Sequence, residues 1–333
     1  MTQSEALASA HAVTAAPAAG RNPGTALEIA RFDRAAVNLS AVERRAATLA
    51  TRRTVKNEFQ AAWLAKAIEC MDLTTLSGDD TADRVRRLCA KARNPLADGL
   101  RAALGLDDRP LHVAAVCVYP TLVSTAARAV EGSGVLVASV ATGFPAGLMP
   151  LRLRLEEIRF AVDSGADEID IVISREHALR QDWAALYDEI AAMREACGAA
   201  HLKAILAVGE IATQRNVYKA SMVAMQAGAD FIKTSTGKET VNATFEYGLT
   251  MVRAIRDYGE RTGQRVGFKP AGGIRTAKQA LGWLILMKEE LGRAWLEPDL
   301  FRLGASTLLS DIERQLDHHV SGGYSAAFRH AAL

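Results

Sequence analysis

The feature that most constrains this chain is an alternation. From about residue 67 onward, eight short apolar runs recur between longer amphipathic stretches. The runs are Ala67 to Met71, Val113 to Val118, Val135 to Val140, Glu168 to Ile173, Leu202 to Val208, Phe231 to Lys233, Val266 to Lys269 and Phe301 to Leu303. Between them, stretches such as Leu151 to Val162, Trp183 to Cys197, Val217 to Ala227, Phe245 to Arg261 and Ala277 to Leu291 place apolar residues at helical spacing. Strands separated by helices are parallel strands joined by right-handed crossovers. Eight units in about 250 residues predict an α/β fold of the closed (β/α)8 TIM-barrel kind. An open doubly wound sheet is the alternative, but no G-x-G-x-x-G follows an early strand. Ahead of the barrel, residues 1–25 read as a mobile Ala-rich tail. Residues 26–66 read as an N-terminal helical extension, with Ser40 as a helix cap and Glu43 three residues on. The barrel is expected over 67–320 and a C-terminal tail over 321–333.

Composition narrows the function classes. With 40 basic against 38 acidic residues the net charge is +2, so no summed field favours nucleic acid or an anionic membrane. No apolar run reaches the roughly 18 residues of a membrane span. Met1 to Gly20 carries no basic residue, which argues against a secretory signal. Cys70, Cys89, Cys117 and Cys197 show no C-x-x-C spacing, as in a chain of the reducing cytoplasm with free thiols. The seven histidines form no H-E-x-x-H or His-x-His pattern, so a metal-dependent reaction is not expected.

A barrel brings the C-terminal ends of its strands to one mouth, where Asp72, Cys117, Asp170, Lys233 and Lys269 would meet. Lys233 ends an apolar run and opens the loop Thr234-Ser235-Thr236-Gly237-Lys238. Lys269 stands in the same way before Pro270-Ala271-Gly272-Gly273. A strand-end lysine can simply snorkel to solvent. Two of them facing one cavity would instead push each other toward the neutral amine, which is a nucleophile. Lysine ordinarily holds its proton to pH ~10.4, so a free amine near neutrality costs ~4 kcal/mol, drawn from burial and like charge. The iminium formed by such an amine is an electron sink for breaking or making a neighbouring carbon–carbon bond. Asp170, an inward carboxylate among isoleucines, is either a structural partner of these lysines or a proton shuttle. Asp72 invites the same two readings, and a supporting role beside Lys269 is the expectation. Cys117 reads as a small buried hydrophobe. Gly272-Gly273, and Gly304-Ala305-Ser306-Thr307 before the last helix, stand where barrels form phosphate sites, although Ser306 or Thr307 could equally be a plain helix cap.

Five segments together resemble deoxyribose-phosphate aldolases, a family of class I aldolases, in that family's order. They are Met71-Asp72-Leu73-Thr74-Thr75-Leu76, Val116 to Pro120, Phe231 to Lys238, Gly267 to Gly273 and Gly304 to Leu309. The resemblance runs from about Ala41 to Val320, and the helical extension looks like the family's longer form. It implies a (β/α)8 barrel that reversibly cleaves 2-deoxy-D-ribose 5-phosphate to D-glyceraldehyde 3-phosphate and acetaldehyde, without metal or organic cofactor. It implies Lys233 as the Schiff-base lysine, Lys269 as the neighbour that lowers its pKa and relays protons, and Asp170 as the proton donor and acceptor. Asp72 would bond into the lysine pair, Thr74 and Cys117 would line the substrate pocket, and Gly237, Lys238, Gly272, Gly273, Ser306 and Thr307 would cradle the phosphate. A homodimer is the family's habit. Shorter members end in a tyrosine that reaches the active site, whereas the last tyrosine here is Tyr324. Val208 stands where relatives commonly carry threonine. An aldolase for another sugar phosphate, or a silent phosphate-binding barrel, are the alternatives.

Overall fold

The computed structural model describes residues 20–330 except Arg53. Eight parallel strands follow one another around a single sheet: β1 Met71–Thr74, β2 Ala115–Val118, β3 Leu136–Val140, β4 Glu168–Val172, β5 His201–Ile205, β6 Phe231–Lys233, β7 Gly267–Lys269 and β8 Leu303–Ala305. Each strand pairs in parallel with the next, and β8 returns to β1. The ring is completed between β7 and β8 by parallel bridges at Phe268 and Phe301 and at Ala271 and Gly304, with the Gly304 N–H donating to the Pro270 carbonyl at 2.9 Å. The barrel expectation therefore holds.

Alternation along the strands sorts residues into two cores. Ile169 and Ile171 of β4 face outward into a large apolar layer shared with the surrounding helices. Burying each stabilises the fold by roughly 1.5–3 kcal/mol. Glu168 and Asp170, one residue out of phase, point into the barrel. The inside of the barrel holds a small apolar cluster of Ala115, Cys117, Ala138 and Val140, all from β2 and β3. Elsewhere the interior carries Asp72, Glu168, Asp170, Lys203, Lys269 and Arg302, all buried, beside the Phe231 ring.

Strand ends shift from those expected where helix and strand patterns overlap. β1 begins at Met71 rather than Ala67, because the helix Asn57–Glu69 keeps Ala61, Leu64, Ala65 and Ile68 on one buried face through its last turn. β8 lies two residues later than expected, and Phe301 contributes only a bridge. The helix Ala277–Leu291 has the expected bounds, fixed by a capping box in which Thr276 and Gln279 satisfy each other's backbone N–H. The extension is helical, but Leu39–Arg52 starts one residue before Ser40, and the Asn38 side chain accepts the Ala41 N–H at 3.0 Å in its place. This helix packs on Phe245–Thr262 and Ala277–Leu291, where Arg45 pairs with Glu289 (2.5 Å) and Glu290 (3.1 Å).

Most of the expected tail, residues 1–19, lies outside the described residues. From Arg21 to Thr25 the chain is docked. The buried Asn22 receives a hydrogen bond from the Tyr258 hydroxyl (3.1 Å), and its amide donates to the carbonyls of Met225 (2.7 Å) and Ala229 (2.9 Å). Its backbone N–H donates to Asp230 at 2.8 Å. Among the described residues no helix is long and apolar enough to cross a membrane.

Candidate active site

The barrel brings together the residues that the sequence scatters. Parallel pairing sets Lys233 beside Lys269 and Asp170 beside Lys203. Both strand-end lysines point inward, and Lys233 is only 3% exposed. Their amines share one oxygen of Asp170, each donating to Oδ2 at 2.7 Å. Lys269 also pairs with Asp72 Oδ2 at 2.5 Å. Gly304 makes room for it, since a Cβ there would lie 3.3 Å from the Lys269 Cε and 2.8 Å from the Ala271 Cβ.

The two amines are not equivalent. Burial pulls the Lys233 pKa below its ordinary value, and the like charge of Lys269 works in the same direction against the opposing pull of Asp170. For Lys269 burial is outweighed by Asp170 and Asp72, and its pKa is raised. The expectation that each lysine deprotonates the other is corrected by this asymmetry: Lys269 has two carboxylate partners and keeps its proton, while Lys233 has one, which it shares. Burial alone would raise Asp170, but Lys233, Lys269 and Lys203 hold it well below the usual carboxylate range. Asp72 is likewise lowered against its own burial by Lys269, Arg302 and Lys203.

Cys117 is fully buried on β2, and burial pushes its thiol up to about 11, which disfavours the thiolate a nucleophile needs. Thr74, half-buried opposite Cys117 in the β1–β2 register, donates its hydroxyl to the Asp72 carbonyl at 2.9 Å. Val208 is buried, and its N–H donates to the Thr234 carbonyl at 3.0 Å, extending the β5–β6 pairing past Lys233. The preceding Ala207 has φ 52°, a left-handed conformation unusual for a non-glycine residue, at the rim of the mouth.

The loops after β6, β7 and β8 meet on this rim. Gly237 and Gly272 (φ 86° and 87°) lie so close that a Cβ on Gly237 would sit 3.7 Å from the Gly272 Cα. Gly237, Lys238, Gly273, Ser306 and Thr307 are exposed there, with Gly272 half-buried, and Thr307 directly precedes the helix Leu308–Ser321 without a capping bond from its side chain. Gly237 is already engaged. Its N–H donates to the Glu239 carboxylate (3.1 Å), which also takes the Thr236 N–H (3.0 Å) and hydroxyl (2.7 Å). Tyr324 follows that helix and is 81% exposed. Among the described residues no cluster of three His, Cys, Asp or Glu side chains is placed to hold a metal ion.

Three charged residues of the interior were not expected from the sequence. Lys203, level with Asp170, reaches down to pair with Glu168 one step below, and Arg302 grips both Glu168 oxygens (2.8 and 3.0 Å) and Asp72 Oδ1 (2.6 Å). Glu168 lies two residues before Asp170, hence on the same face of β4, and that phase was the available clue.

The chain is similar to known proteins over most of its length. The model of the DeoC/LacD family aldolases matches residues 66–289. A human protein named deoxyribose-phosphate aldolase is 60% identical over 307 residues, covering 92% of this chain and 96% of the relative. The mouse protein of that name is 60% identical over 305 residues, covering 91% and 96%. Among solved structures, a tetrameric deoxyribose phosphate aldolase from Aeropyrum pernix shares the fold, with a TM-score of 0.58 and 22% identity over 84% of this chain and 99% of that one. With the family's residues matched through all of β1 to β7 and two relatives alike over nine-tenths of the sequence, the chain belongs to the DeoC/LacD family of aldolases.

Proposed function

We propose that the protein reversibly cleaves 2-deoxy-D-ribose 5-phosphate to D-glyceraldehyde 3-phosphate and acetaldehyde through a Schiff base on Lys233. The observation that carries this reading is a buried amine, disfavoured as its cation by that burial and by Lys269, in a chain 60% identical to proteins that bear the name of that activity. Lys233 attacks C1 of the open-chain sugar, and loss of water leaves the iminium. Removal of the C3 hydroxyl proton breaks the C2–C3 bond, the electron pair passes into the iminium, and glyceraldehyde 3-phosphate leaves. Protonation of the enamine at C2 and hydrolysis then release acetaldehyde and restore the amine. Asp170, ionised and in contact with both amines, is the base and afterwards the counter-ion of the iminium; Lys269, which holds its proton, supplies protons through it.

Ala115, Cys117, Ala138 and Val140 offer the C2 carbon an apolar wall, which favours a 2-deoxy sugar over one with a 2-hydroxyl left unpaired. The exposed Lys238, the Gly272-Gly273 turn and the Ser306-Thr307 helix start form the phosphate rim, with Gly237 shaping the loop. Four buried, unpaired cysteines support a reducing, cytoplasmic setting. Light scattering tests the homodimer.

Acetaldehyde and borohydride together should fix an ethyl group on Lys233, and Lys233→Leu should release no acetaldehyde from deoxyribose 5-phosphate. Full activity with Lys233 unmodified after that treatment rejects the mechanism. Turnover of ribose 5-phosphate equal to that of the deoxy sugar rejects the substrate assignment.

A further inference from the structure

Beneath the lysine pair the barrel holds more charge than the reaction uses. Asp72, Glu168, Asp170, Lys203, Lys269 and Arg302 are each no more than 1% exposed. They form one continuous network. Arg302 joins Asp72 to Glu168. Lys203 pairs with Glu168, with Asp170 Oδ1 (3.4 Å) and with Asp72 Oδ2 (3.7 Å). Lys269 joins Asp72 to Asp170. Lys203 and Arg302 also stand over the Phe231 ring, 5.8 and 5.6 Å from its centre. That ring fits only because position 267 is glycine, since a Cβ there would fall 2.3 Å from it.

At their ordinary charges these six groups are three anions and three cations. Lys233 is the seventh group, attached through Asp170. Its protonation would therefore leave one uncompensated charge in a buried interior, which is expensive. We propose that Glu168, Lys203 and Arg302 are positioning residues of the aldol reaction: with Asp72, Asp170 and Lys269 they form a set whose charges cancel only while Lys233 is uncharged, and so hold it as a nucleophile. This rests on Lys233 as the Schiff-base amine. The directions agree, since Asp72, Asp170 and Glu168 are all held below the usual carboxylate range and Lys269 and Arg302 above theirs, against their burial. The groups facing Lys233 are Asp170, Lys269 and the Cys117 thiol, and the other four stand behind them.

The test is the pH dependence of borohydride trapping of acetaldehyde on Lys233, read by mass spectrometry in wild type, Arg302→Met, Glu168→Gln and the double variant. Losing a cation should make Lys233 hold its proton, moving the trapping limb to higher pH and cutting adduct formation about tenfold or more at a pH below the limb. Losing an anion should move the limb the other way. The double variant loses one of each and should return to within about half a pH unit of wild type. A purely structural network predicts lower melting temperatures without opposed shifts, so single variants that both leave the limb in place, or move it the same way, overturn the proposal. A double variant displaced further than either single does the same. Should Arg302→Met fail to fold, Lys203→Met alone and with Glu168→Gln repeats the comparison. Failure of the wild type to trap on Lys233 would refute the Schiff-base reading itself, whereas normal wild-type trapping without opposed shifts refutes only the charge-balance role.

Discussion

Replacing Asp170 by asparagine removes one negative charge while keeping a hydrogen-bond acceptor of the same size, and it separates the two roles of this carboxylate. Each amine sits 2.7 Å from Oδ2. For unit charges ~4 Å apart at an effective dielectric of ~20, the attraction is ~4 kcal/mol, equivalent to about three pH units. The asparagine carbonyl keeps part of this and Lys269 stays tied to Asp72, so the acid limb of adduct formation should fall by about one to two units. Turnover should move the opposite way, down by ~10²–10⁴-fold, because no base remains at the C3 hydroxyl. The variant would thus carry more free amine at pH 6 and yet cleave far less sugar. Trapping and acetaldehyde release measured side by side from pH 5 to 9 give both quantities. A limb that rises, or turnover reduced less than about tenfold, would refute the reasoning.

Asn22→Ala removes three hydrogen bonds made in a buried site, those to the Met225 and Ala229 carbonyls and from the Tyr258 hydroxyl. At ~1 kcal/mol each the loss is ~3 kcal/mol, and calorimetry should find the melting temperature lowered by roughly 4 °C; a shift under about 1 °C would sink the docking argument. Acid should destabilise the protein in a defined window. Asp72, Glu168 and Asp170 have folded-state pKa values below their unfolded ones, so their contribution is present in full above the ordinary carboxylate value of ~4 and is lost as pH falls through the lower folded values. The urea midpoint should hold from about pH 7 to 5 and drop below about pH 4, and an unchanged midpoint at pH 3 would contradict the buried network.

The barrel and the reactive pair were legible because both rest on local pattern. Phe231-Ile232-Lys233 and Val266-Gly267-Phe268-Lys269 each show an apolar run ending in an amine. The difference between the two amines was not legible, since it depends on which carboxylates reach them: Asp72 touches Lys269, and Asp170 touches both. Lys203 and Arg302 escaped notice because a charge inside a short apolar run reads as half-exposed alternation. Only closure of the ring, which sets Arg302 against Glu168 across 134 positions of sequence, shows that these charges face each other. Asn38 rather than Ser40 caps the first long helix, and Asn22 is a buried anchor inside what composition describes as a tail. In both, a side chain finds backbone partners that the one-dimensional pattern does not encode.

Strand β6 is only three residues long, and Asp230, directly before it, is pinned by the backbone N–H groups of Asn22 and Leu202 (2.8 Å each). At ~3.3 Å per residue the root of Lys233 stands about 10 Å above that pin. The warhead of the barrel is thus aimed from the opposite end of its own strand, by a tether near the beginning of the chain. Trimming the protein past Asn22 would loosen the aim of Lys233 without removing a single reacting atom.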